Sequence, residues 1–143
     1  MANQKDDSHD WLGDAAENLV RYHFSRAGYD VYGSSKWGAD ICVVGKPTQS
    51  GQDGPRVIFV EVKSTDSPKK SWQNIKNSRS VRKKVKGRKF NILVGVKFSL
   101  KGQAIRLWKL KDGKYEKKWH DELSPNDLGM WLRGNFSIKP HFK

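Results

Sequence analysis

ADICVVG at residues 39–45 and RVIFVEVKS at 56–64 are two apolar, β-branched runs separated by KPTQSGQDGP at 46–55, a polar stretch containing Gly and Pro. Val, Ile and Phe in runs of this length favour buried strands, and the polar stretch supplies turn residues, so the segment predicts an antiparallel hairpin. A register symmetric about Ser50 and Gly51 sets Val43 opposite Ile58 and Asp40 opposite Glu61. Directly opposed residues share a face of the sheet, with Cβ atoms roughly 4.5–5.5 Å apart. Two carboxylates at that separation repel and call for a positive charge between them. An all-oxygen site suits a hard divalent cation, magnesium or manganese, and the Val62 backbone carbonyl is a further candidate ligand. Lys63 lies two residues beyond Glu61 and so shares its face, about 7 Å along the strand. An ammonium group there can hold an attacking water or steady charge on a phosphate, and hydrolysis of a phosphodiester is the chemistry that such a cluster serves.

Upstream, Leu12, Ala16, Leu19, Val20, His23 and Phe24 recur at helical spacing between an N-cap at Asp10 and a stop at Gly28. They predict an amphipathic helix over about 11–27, preceded by a flexible N-terminus over residues 1–10. Glu17 shares a row with Gly13, Val20 and Phe24, borders the apolar stripe, and can lean toward the sheet as an outer carboxylate. YDVY at 29–32 is a further strand, and GSSKWG at 33–38 a loop. Downstream, SPKKSWQNIKNSRSVRKKVKGRK at 67–89 predicts a basic helix over about 71–86. NILVGVKF at 91–98, AIRLWKL at 104–110 and KYEKKW at 114–119 predict strands, the last two joined by a turn at Asp112-Gly113. A final helix is expected from Ser124 as cap and Pro125 at its first position, with its stop at Gly134. The order implies an α/β or α+β fold, a central mixed sheet flanked by helices, in a single domain over residues 11–143.

The charge is unevenly placed. The chain carries 28 Lys and Arg against 15 Asp and Glu, and residues 64–101 hold 12 basic side chains and 1 acidic one. Lys69, Lys70, Lys76, Arg79, Arg82, Lys83, Lys84, Lys86, Arg88 and Lys89 directly follow the Glu61-x-Lys63 strand. A basic flank beside an acidic site suits a nucleic-acid backbone, which these side chains track without reading bases. Trp37 and Trp72 are candidates for stacking on unpaired bases, whereas Trp11, Trp108, Trp119 and Trp131 lie in regular elements and are expected to be structural. The single cysteine, Cys42, excludes an internal disulfide and alternates with Asp40 on a buried strand, which suits core packing. The first ten residues lack the basic start and apolar middle of a secretion signal, and no apolar run approaches a membrane span. A cytoplasmic protein is expected.

Each acidic piece alone is common on solvated surfaces; their order along the chain is not. Taken together, the helix acid, the strand-initial aspartate and the Glu-x-Lys strand resemble the PD-(D/E)xK nuclease superfamily, and in particular its archaeal Holliday junction resolvase-like branch. GDAAENLVRYHFSRAGYDVY is similar to the opening helix and strand of those resolvases, GADI to the strand bearing their aspartate, and VIFVEVKST to their Glu-x-Lys strand. Ala39 stands where the family has a proline, and the 46–55 loop is long for a resolvase. The resemblance covers about residues 11–66; beyond it the WQN segment and the paired strands are more similar to superfamily members of mobile elements and defence systems. It implies a restriction-endonuclease-like core and a magnesium-dependent endonuclease acting on branched or duplex DNA, with Asp40 and Glu61 as metal ligands. Lys63 would position the water, Glu17 would support as a second-rank acid, and Ser34 and Ser35 would sit in a DNA-binding loop. Paired cuts in a duplex imply a homodimer. Three alternatives stand beside it: a non-cleaving basic nucleic-acid-binding module on the same fold, a mobile-element or defence nuclease of the same superfamily, and cleavage of RNA.

Overall fold

The computed structural model describes residues 3–33, 38–48, 54–67, 69–121 and 125–141. Its sheet is built from β1 (Asp30–Gly33), β2 (Ile41–Pro47), β3 (Arg56–Thr65), β4 (Ile92–Ser99), β5 (Gly102–Lys111), β6 (Lys114–Asp121) and β7 (Ile138–Lys139). The helices are α1 (Asn3–Arg26), α2 (Trp72–Lys76), α3 (Arg79–Lys86) and α4 (Pro125–Phe136). Strands β1 to β6 lie side by side in chain order, and β7 pairs with the far end of β2. All neighbours are antiparallel except β3 and β4, which are parallel and joined through α2 and α3. Among the described residues this is an α+β fold with a mixed sheet of seven strands and four helices.

The hairpin register is the expected one: Val43 faces Ile58 and Ile41 faces Val60. Period-two alternation then sorts β3 between two cores. Ile58, Val60 and Val62 pack with Val20 and Phe24 of α1 and with Leu128 and Leu132 of α4. Phe59, on the other face, packs beneath α3 with Val81, Leu93 and Trp108. Glu61 and Lys63 share that second face.

Several boundaries differ from expectation, each for a local reason. Helix α1 begins at Asn3, ahead of Asp10, and no Gly or Pro interrupts residues 3–10. The basic segment is two helices. Ile75 and Val81 are both buried, yet six residues apart on one helix they would point about 120° away from each other. The chain therefore breaks at Asn77, and Ser78, extended at φ −60° and ψ 151°, re-aims α3. Helix α4 passes its expected stop at Gly134, because Phe136 stays on the Trp131 ring, and it ends at Ser137 with φ 54°. The short strand β7 was not expected. Trp11 is solvent-exposed rather than structural, while Trp108 and Trp131 are buried as expected. Ser124, the expected cap of the last helix, and Trp37 lie outside the described residues. Among the described residues, no helix is long and apolar enough to cross a membrane.

Gly28 ends α1 as expected. Its φ is +101°, and a Cβ there would stand 2.7 Å from Pro140 Cβ. The Tyr29 amide donates to the Phe24 carbonyl at 3.2 Å, closing the helix end. Gly28→Ala is expected to lower stability by about 2 kcal/mol, measured by thermal or denaturant unfolding; an unchanged midpoint would show that this junction yields without strain.

Candidate functional site

The site exists because β2 ends before β3 does. The β2 ladder ends at Ile41, paired with Val60, while β3 runs on to Thr65. The amides of Val60 and Val62 point toward the β2 side. Val60 O still receives the Asp40 amide at 3.1 Å. At the next position a side chain replaces the missing strand: the Val62 amide donates to Asp40 Oδ2 at 2.8 Å. This bond fixes the Asp40 carboxylate at the vacated edge, and the Val62 carbonyl is directed to the same side. With β2 gone, side chains from opposite faces of the sheet meet around β3. The resulting cleft is lined by Glu17 of α1, by Asp40, Glu61 and Lys63, and by Ser80 and Lys84 of α3.

Glu61 is 4% exposed. Lys84 Nζ donates to both of its oxygens, at 2.9 Å and 2.7 Å. Burial pushes the Glu61 carboxyl up to about 7; Lys84 opposes this and the neighbouring Asp40 carboxylate adds to it. Desolvation therefore outweighs the ion pair. Glu17 is also held above the ordinary carboxylate range, first by burial and then by the charge of Asp40 and a hydrogen bond with it, with Arg21 acting against both. Three carboxyl groups thus share one electrostatic environment. Lys63 turns its ammonium to α3, donating to Ser80 Oγ at 2.9 Å. Among the described residues, no three acidic, histidine or cysteine side chains are gathered closely enough to hold a metal ion as they stand.

The cleft brings together Glu17, Asp40, Glu61, Val62 and Lys63. It also draws in Lys84, expected on the phosphate-tracking face and found instead against Glu61. Ser80 and Lys84, four residues apart, form the cleft-facing row of α3. Arg79, Arg82, Lys83 and Lys86 form its exposed row, while Val81 is buried and Val85 packs beside it. Lys69, Lys70, Arg88 and Lys89 are exposed as well, whereas Lys76 is half-buried over the Tyr115 ring at 5.3 Å. Ser34 and Ser35 lie outside the described residues. Tyr115 was not anticipated: its buried hydroxyl has no hydrogen-bond partner among the described residues. Burial and then the Glu61 charge raise its pKa above the ordinary tyrosine value. In KYEKKW it carries no signal that separates it from any other strand tyrosine. The Cys42 thiol is raised by burial, which suits packing rather than nucleophilic chemistry.

A comparison with known protein families finds none that matches the chain, and searches of characterised proteins and of solved structures find no similar protein.

A carboxyl that keeps its proton to about pH 7 when folded, and whose ordinary value is 4.5, stabilises the fold below pH 4.5 and loses that contribution as pH rises through 7. Unfolding measured with a chelator present is expected to show stability declining over this window. Glu61→Gln should remove on the order of 2–3 kcal/mol of that decline. An equal decline in parent and variant would place the titration elsewhere.

Proposed function

We propose that this chain is a metal-dependent endonuclease that hydrolyses DNA phosphodiester bonds, a PD-(D/E)xK nuclease resembling the resolvase-like branch. The observation that carries the reading is the meeting of Glu17, Asp40 and Glu61 at the vacated edge of β3, beside Lys63 and beneath the basic helix α3. A surface that only gripped DNA would gain nothing from carboxyl groups turned toward phosphate.

The donor set fits a hard divalent ion: Asp40, Glu61 and the Val62 carbonyl are all oxygen ligands, and the carboxyls of Glu61 and Glu17 are raised first by burial and then by the neighbouring Asp40 charge. Lys84 currently pairs with Glu61, so Asp40 and Glu61 would hold magnesium or manganese only as its ammonium moves off. When bound, such an ion supplies an acidified water and charge neutralisation at the phosphate. The protein's own groups do the rest. The Val62 amide orients Asp40, Lys63 is placed to hold the attacking water or a phosphate oxygen, and Glu17 supports from the helix side. Once released, Lys84 is a second cation for the charge that develops on the phosphate. Arg79, Arg82, Lys83 and Lys86 bind the backbone outside the cleft. A chain with one cleft cuts one strand at a time, so paired cuts need two copies.

The Lys84–Glu61 pair also supports the second reading, a binding module whose acid is permanently neutralised from within. A panel of four-way junction, flap, duplex and single-stranded DNA and of RNA, with and without magnesium, separates the two. Magnesium-dependent cutting of branched or duplex DNA is expected. Asp40→Ala and Lys63→Ala should each lower its rate by at least about 100-fold while DNA binding persists. Binding of every DNA without cutting would leave the module, and variants that cut like the parent would refute the site. Neutralising Arg82 and Lys83 should weaken binding and flatten its salt dependence.

A further inference from the structure

The two lysines of the cleft are held differently. Lys63 donates to a neutral hydroxyl, Ser80 Oγ, at 2.9 Å, whereas Lys84 Nζ donates to both oxygens of Glu61, at 2.9 Å and 2.7 Å. A nitrogen nearly equidistant from two carboxylate oxygens lies where a cation shared by both would lie. Magnesium takes a carboxylate oxygen at about 2.0–2.1 Å. An ion held by either Glu61 oxygen would use a lone pair that the ammonium now fills, and would stand within a few ångströms of its charge. Lys84 and a divalent ion therefore exclude each other at Glu61.

Burial makes this an exchange rather than a simple loss. A buried carboxylate stripped of its partner is strongly destabilising, so the ammonium leaves Glu61 only as another cation replaces it. The partners also differ in freedom: the Lys84 side chain is 33% exposed on a long flexible stem, the Glu61 side chain 5%. The lysine can swing to the mouth of the cleft, and the acid cannot follow. The cleft has a volume of about 380 Å³, room for an ion, its waters and the displaced ammonium together. After release Nζ stays on the wall that α3 shares with Ser80, beside Lys63, within reach of a phosphate entering the cleft. We infer that Lys84 is an exchangeable internal cation: it closes the Glu61 side of the metal site in the free protein, and its release couples divalent-ion binding to binding of a phosphodiester backbone. This deepens the nuclease reading and rests on it for the ion and the DNA. Glu61 freed for the ion and Lys84 freed for the phosphate are one and the same state, so each ligand strengthens the other by an equal factor.

The experiment measures manganese binding by electron paramagnetic resonance in the parent, Lys84→Met and Lys84→Arg. Lys84→Met, which removes the competing charge, is expected to bind manganese about 5- to 50-fold more tightly than the parent; Lys84→Arg, which keeps a cation, should not. A fluorescent phosphorothioate oligodeoxynucleotide, which keeps the backbone charge and resists hydrolysis, reads the coupling by anisotropy. Manganese should tighten its binding to the parent about 3- to 10-fold more than its binding to Lys84→Met. Acetylation of lysines in the parent, quantified by peptide mass spectrometry, separates exchange from a change in the general field: Lys84 should gain reactivity on addition of manganese, and the exposed Lys83 should not. Should Lys84→Met fail to fold, this labelling of the parent decides. Parental manganese affinity in a natively folded Lys84→Met, or unchanged Lys84 labelling in a parent saturated with manganese, would overturn the exchange and leave the nuclease reading standing. Manganese bound by neither protein, with or without DNA, would overturn both. Exchange in a protein that cuts no member of the cleavage panel would keep the role of Lys84 and remove the nuclease reading.

Discussion

One hydrogen bond, from the Val62 amide to the Asp40 carboxylate, governs the geometry of the cleft. A strand that outlasts its neighbour leaves backbone groups without partners, and a buried amide left unpaired costs about 1–3 kcal/mol. Here a side chain supplies the acceptor. The same contact therefore finishes the β2–β3 ladder, aims a carboxylate at Glu61, and leaves the sheet open where α1 and α3 can both contribute. Each function constrains the others, since an Asp40 replaced by a residue without an acceptor loses the charge and the strand terminus together.

Helix α3 is the other organising element, and it is used on three sides. Val81 and Val85 anchor it to Trp108 and Phe90 beneath, Ser80 and Lys84 engage Lys63 and Glu61, and Arg79, Arg82, Lys83 and Lys86 face outward. The break at Asn77 makes this possible, because a single helix from Trp72 onward could not bury Ile75 and also present these three faces. The basic run is consequently two populations: cations held inside the cleft, and cations exposed on the surface. Substitutions in them should be read separately, as Lys84 answers the charge of a buried acid and Lys83 faces solvent.

Much of the sheet was legible because apolar alternation, turn residues and one hairpin register determine it. Val43 opposite Ile58 followed from loop symmetry alone, and with it the approach of Asp40 to Glu61. What escaped depends on contacts between segments distant in sequence. Nothing local says that Lys84 rather than Lys63 pairs with Glu61, or that Tyr115 comes to lie within reach of its charge. The two-helix break is visible only once Ile75 and Val81 are known to be buried together. Residues 3–10 contain no breaker, so their polarity obscured a helix that composition did not forbid.

The parallel pairing of β3 with β4 has a consequence for the order in which the molecule assembles. Hairpins such as β2–β3 and β4–β5 close over short stretches of chain, but β3 can join β4 only after the whole helical excursion between them has been gathered in, a slower kind of closure. Until that step, the carboxylates on the first hairpin and the lysines of the excursion belong to separate fragments. A nascent chain thus carries every cleft-lining side chain without any assembled cleft, which forms only when the seam at the middle of the sheet closes.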